Sequence, residues 1–183
     1  MLEDEEQSGK LIVLRSVQDA DALVARLEMA AAQTAEWVAA FRGRPLDLIR
    51  HMKFDTIGFH PVDHHPLNVI EQVNQTWTYV VAALAARKLF ELHPEAGALH
   101  LAPGAHASQP LDVMSEVQGL VGAETFAAVR PENNAKLAKD LAKLSARQET
   151  HRYIFFMSPK YPGTQRLPKL ERDGVQVWSV DIS

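Results

Sequence analysis

The order of apolar runs along this chain predicts an α/β fold, a mixed central sheet flanked by helices, in one domain. Two long stretches, residues 16–41 and 67–92, carry helical periodicity. Residues 111–114 and 120–129 are apolar runs around a polar, glycine-containing connection, the composition of a β-hairpin. A helical pattern ending near Ala146 then leads into Arg-Tyr-Ile-Phe-Phe-Met at 152–157, which is β-prone and almost wholly apolar. A strand–helix–strand passage of this kind makes the second strand parallel to the first.

Taken in order, residues 1–8 are polar and read as a loose terminus. Residues 11–14 fit either a short strand or a lead-in. Ser16, with Asp19 three residues later, resembles a capping box and opens a long N-terminal helix to Phe41, with Gly43 as its stop. Leu23, Leu27, Thr34, Val38 and Phe41 form its apolar side, and the thin alanine middle at 30–32 offers close approach to another helix or to the same helix of a homodimer. Residues 45–52 predict a short second helix, and 54–59 a strand or extended link.

The helix at 67–92 should turn Ile70, Val73, Trp77, Val80 or Val81, and Leu84 inward. Glu71 lies in a polar first turn, where a carboxylate also suits the helix dipole. His93-Pro94 ends this helix, 98–101 makes a strand, and 103–110 is a loop. After the hairpin, Pro131 sits at a plausible first helical position and Glu132 in the first turn. Leu137, Leu141 and Leu144 follow as the buried stripe. Residues 158–169, with three prolines, a glycine and three basic residues, read as a ligand-facing loop, and 175–180 as a closing edge strand.

The hairpin carries the chemistry. With its loop centred near Gln118, Asp112 falls directly opposite Glu124. Like charges so placed are destabilising in a sheet, and a divalent cation would relieve them. Hard ions such as Mg²⁺ take carboxylate oxygens, often few from protein, and complete their shell with water and phosphate. Lys136, flanking the leucine stripe near the helix start, can lay its stem along the sheet and bring its ammonium to the carboxylates. A blander reading leaves Asp112 as a solvated edge residue and pairs Glu124 with an arginine.

Pro110-Leu111-Asp112 followed by Glu124-Thr125-Phe126 resembles the PD-(D/E)XK signature of the restriction-endonuclease-like nucleases. The resemblance spans about residues 67–180. It implies an α-β-β-β-α-β core at 54–183, with 1–53 as a helical extension. It further implies a metal-dependent nuclease hydrolysing phosphodiester bonds in DNA, with Asp112, Glu124 and Lys136 catalytic, and Mg²⁺ or Mn²⁺ held by Asp112, Glu124 and Glu71. Phe126 occupies the family's usual lysine position, and Lys136 is the candidate replacement from the following helix. Without a functional lysine the same fold would serve as a non-catalytic nucleic-acid-binding or assembly protein.

Composition narrows the partners. The chain of 183 residues has no cysteine, which removes thiolate metal sites and cysteine nucleophiles and suits the cytoplasm. No apolar run approaches a membrane span. Net charge is −4, yet between Arg130 and Arg172 ten basic residues face four acidic ones. That stretch is a candidate DNA surface, or an ordinary solvated face. The loop from His60 to His65, with Asp63 between, supplies zinc-type ligands and a third reading, a zinc-dependent hydrolase. His51, His93, His100, His106 and His151 show no ligand spacing.

Overall fold

The computed structural model describes residues 11–104 and 109–182. The readings of residues 1–8 and of His106 lie outside the described residues. The fold is mixed α/β, a seven-stranded mixed sheet with four α-helices.

Strand β1 (Ile12–Leu14) joins the sheet as an edge, pairing antiparallel with β4 (Leu99–Leu101). Helix α1 (Val17–Ala40) begins at the expected cap, where the Ser16 side chain accepts the Asp19 N–H at 3.2 Å. It buries Ala20, Leu23, Leu27, Ala30 and Thr34. Helix α2 (Pro45–Phe54) buries none of its residues. A two-residue hairpin, β2 (Gly58–Phe59) with β3 (Pro66–Leu67), leads into α3 (Val69–Leu92).

The inward side of α3 differs from expectation in its first half. Ile70, Val73 and Trp77 are exposed, while Val69, Gln72 and Tyr79 are buried. The reason is polar: the Gln72 carbonyl oxygen accepts from Thr34 Oγ1 at 2.7 Å and the Phe59 N–H at 3.1 Å, and its amide donates to the Ala30 carbonyl at 3.2 Å. One satisfied buried amide thus ties α1, the small hairpin and α3 together, and sets the helix's rotation. Beyond Tyr79, residues Val80 to Ala86 and Leu89 are all buried, as in a helix covered on most sides.

Strands β5 (Val113–Ser115) and β6 (Val121–Ala127) form the expected hairpin, with Val113 facing Ala123 and Met114 facing Gly122. Helix α4 (Lys136–Ser145) starts later than Pro131, because Asn134 and Ala135 both take left-handed backbone (φ 54°) and break the run. Strand β7 (His151–Met157) then lies parallel to β6 on one side and to β9 (Val175–Ser179) on the other. The closing strand is not an edge. A two-residue strand, β8 (Gln165–Arg166), forms inside the stretch read as a loop and covers β9. The sheet order is β1-β4-β5-β6-β7-β9-β8.

Side-chain alternation divides the core in two. Val121, Ala123, Tyr153 and Phe155 pack with α1 and α3. Phe126, Ile154, Phe156, Val175 and Val177 pack with Leu137, Leu141 and Leu144 of α4, the expected stripe. Glu124, two residues before Phe126 on β6, therefore belongs to the α4 side. No helix among the described residues is long and apolar enough to cross a membrane.

Candidate functional site

The α4 side of the hairpin gathers three carboxylates and two ammonium groups. Asp112 directly precedes β5, and the ladder's register carries it to the position facing Glu124. Its Oδ2 accepts the Thr125 N–H at 2.7 Å and Thr125 Oγ1 at 3.1 Å. Burial, and then the nearby charge of Glu124, push the Asp112 carboxyl up to about 6, against these hydrogen bonds and the pull of Lys136.

Glu124 is only 3% exposed. The arginine partner of the bland reading is replaced by two lysines from α4. Lys143 Nζ donates to Glu124 Oε1 at 2.7 Å, and Lys136 Nζ lies 4.0 Å from Oε2. Lys136 in turn donates to Asp140 Oδ1 at 2.8 Å, one helical turn on, and stands over the Phe126 ring at 5.9 Å. Burial lowers the tendency of Lys136 to stay charged, but its hydrogen bond to Asp140 and the neighbouring acids outweigh this and raise its pKa. Burial also raises that of Asp140, whose Oδ2 is enclosed with no hydrogen-bond partner among the described residues.

No family model, curated protein or solved structure matches this chain. What the site can do rests on its own residues. With all groups ionised, three carboxylates face two ammonium ions, so the cluster lacks one positive charge. One enclosed carboxylate oxygen has no donor, and one acid is held back from ionising at mildly acidic pH. These features leave the cluster acidic, with an all-oxygen set of acceptors on its carboxylates.

Glu71 does not join them. It is exposed in the first turn of α3, where its N–H meets the Asn68 cap at 2.9 Å. Helix α3 packs on the opposite side of the sheet from α4. Among the described residues, no group of three metal-ligating side chains within 4.8 Å contains Glu71, Asp112 or Glu124. The structure does not bring Glu71 together with Asp112 and Glu124; its backbone N–H serves the cap that opens α3.

The sequence reading missed Lys143 and Asp140 as members of the cluster. Their signal was present: Lys136, Asp140 and Lys143 fall at i, i+4 and i+7, one face of α4 beside the leucines. The basic stretch from Arg130 to Arg172 is also less available than its composition implied. Lys136 and Lys143 are committed to the cluster, Arg147 to Glu149, and Arg166 to Glu171. Arg152 donates to the Leu144 and Asp173 carbonyls. Arg130, Lys139, Lys160, Lys169 and Arg172 are exposed.

Proposed function

We propose that this chain is a divergent metal-dependent nuclease-like protein that hydrolyses phosphodiester bonds in DNA, on a restriction-endonuclease-like core. The observation that carries the reading is the pairing of Asp112 with Glu124 on the face covered by α4, with Lys136 Nζ 4.0 Å from Glu124. Element order supports it: a long helix, an antiparallel meander β4-β5-β6, a covering helix, and a strand parallel to β6.

In this reading Asp112 and Glu124 are the residues that would hold Mg²⁺ or Mn²⁺. A bound divalent ion supplies activation of water and neutralises charge on the phosphoryl oxygens. Thr125 fixes Asp112 through Oδ2, orienting the carboxylate. Lys143 neutralises Glu124, and Lys136 is placed to orient the attacking water or to balance phosphate charge. The wall of Phe126, Leu137 and Leu141 behind them keeps the rear of the site dry.

The test is cleavage of duplex DNA in Mn²⁺ or Mg²⁺. Lys136 cannot simply be truncated, because its loss strands the buried Asp140, so the informative variant is the double Lys136→Met/Asp140→Asn. Activity in the wild type and its loss in a folded double variant supports the reading. A folded double variant that cleaves as well as wild type removes Lys136 from the mechanism.

A second reading keeps the fold as a non-catalytic nucleic-acid-binding or assembly protein. Phe126 at the usual lysine position, and the 2.7 Å clasp of Lys143 on Glu124, favour it. Metal binding without cleavage of any nucleic acid would select it.

A further inference from the structure

The hairpin before α3 holds a second cluster of ligand atoms, on the other side of the sheet from Asp112 and Glu124. Its strands pair Gly58 with Leu67 and Phe59 with Pro66, and the same register carried one step further sets His60 opposite His65. The backbone continues the pairing there: the His60 N–H donates to the His65 carbonyl at 2.7 Å. Cross-strand neighbours share a face, and the two imidazoles stack, with ring centroids 4.8 Å apart and planes 14° from parallel. Asp63, at the tip, turns its carboxylate back between them. Its Oδ1 lies 3.1 Å from His60 Nδ1 and 2.5 Å from His65 Nδ1.

The loop is built and anchored. His60 is 8% exposed and meets the edge of the Tyr79 ring on α3 at 5.4 Å. Phe59 is tied to Gln72, and Pro61 and Pro66 limit the freedom of the chain on either side. His64 alone points elsewhere: it takes a left-handed backbone (φ 63°) and packs on Phe59. That turn is what lets residues 60, 63 and 65 converge.

The polar contacts inside the cluster are one cation short. The N–H groups of Val62 and Asp63 approach His60 Nδ1 at 3.3 and 3.4 Å, which favours the tautomer with the ring proton on Nε2. His60 Nδ1 and Asp63 Oδ1 then face each other as two acceptors.

We propose that His60 Nδ1, Asp63 Oδ1 and His65 Nδ1 bind a divalent transition-metal ion of the zinc class, at a site separate from the carboxylate–lysine cluster. Two imidazole nitrogens and one carboxylate oxygen form a donor set suited to Zn²⁺ or Co²⁺. Ligands at ordinary zinc distances in tetrahedral geometry stand about 3.4 Å apart. The two measured separations need to open by less than about 1 Å to reach that, and Asp63 and His65, with side chains 42% and 31% exposed, have room to move. His65 moves its ring proton from Nδ1 to Nε2 on binding. The fourth position faces solvent and takes water.

The other histidine cluster, His93, Glu95 and His151, also brings three ligand atoms within 4.8 Å. There both nitrogens of His93 are already engaged, Nδ1 with Glu95 at 3.1 Å and Nε2 with the Tyr153 hydroxyl at 2.6 Å. It is a satisfied hydrogen-bond chain and serves as the internal control.

The experiment is Co²⁺ titration of the full chain after chelator treatment, read by visible d–d absorption, followed by Zn²⁺ displacement. Wild type should develop the band with a single equivalent of Co²⁺ and lose it on adding Zn²⁺. His151→Ala should behave as wild type. His65→Ala and Asp63→Asn, confirmed folded by circular dichroism, should give no band. A wild type without the band overturns the proposal. So does a band that survives in both His65→Ala and Asp63→Asn, or one that disappears in His151→Ala.

Discussion

Asp112 stands across from Glu124, one step beyond the ladder in which Val113 faces Ala123 and Met114 faces Gly122. The consequence is an electrostatic conflict: one acid is fully committed to two lysines, and the other is held back from ionising.

Burial of Asp112, and then the facing charge of Glu124, give the metal-free protein a characteristic pH dependence. Asp112 titrates near 6 when folded, against an ordinary value of 3.8. A raised folded pKa means that its contribution to stability is fully present below about 4 and is lost as pH climbs through about 6. Asp112→Asn, which keeps an acceptor for the Thr125 N–H, lacks that loss. Denaturant titrations should show the variant gaining on wild type between pH 4.5 and 7.5, by about 1 kcal/mol on the scale of opposed cross-strand charges and at most about 3 kcal/mol from the shift itself. A stability difference that does not change with pH would contradict the opposition of the two acids.

Lys143 should act as the stand-in cation. Lys143→Met leaves buried Glu124 with only the more distant Lys136, and should cost the metal-free protein about 1–2 kcal/mol, less than for a fully buried pair because the lysine side chain is 47% exposed. Millimolar Mg²⁺ or Mn²⁺ should shrink that deficit. An equal deficit with and without metal would mean that the cation does not reach Glu124.

DNA binding, where it occurs, should depend on the exposed members of the basic stretch, since the others already serve internal acceptors. Affinity should fall with salt at a slope near −0.9 per phosphate contact on duplex DNA. Lys139→Glu, on the exposed side of α4, should weaken binding and flatten that slope, as filter binding or anisotropy across a salt series would show. Binding insensitive to salt or to Lys139→Glu would place the nucleic acid elsewhere.

The parts of this architecture with strong local signals were legible in the residues. Ser16 announced its helix, the leucines of α4 their burial, and the two apolar runs around Gln118 a register that places Asp112 against Glu124. The misreadings came where a tertiary contact outweighed the local pattern. Exposed Ile70, Val73 and Trp77 mimicked an inward stripe because nothing local reveals that Gln72 is the buried anchor. Arg130-Pro131-Glu132 mimics a helix start, while the left-handed pair Asn134-Ala135 delays it. Strands of two residues, β2, β3 and β8, are too short for periodicity to register, so the pairing of His60 with His65 and the covering of β9 were both hidden. Glu71 looked suitable by position in sequence alone, and its helix packs on the opposite side of the sheet from α4.

The central claim, that Asp112 and Glu124 together form a divalent-cation site, is tested most directly by thermal unfolding of wild type, Asp112→Asn and Glu124→Gln, with and without millimolar Mg²⁺ or Mn²⁺. Binding to the folded chain alone stabilises by RT ln(1 + [L]/Kd). The account predicts a crossing between wild type and Asp112→Asn: without metal at neutral pH the variant melts at or above the wild-type temperature, and with metal the wild type melts higher. Glu124→Gln, which unpairs Lys143 while Lys136 keeps Asp140, starts lower and shows no metal gain. A wild type whose melting temperature ignores the metal, or an Asp112→Asn protein that gains as much from it as wild type does, would contradict the claim.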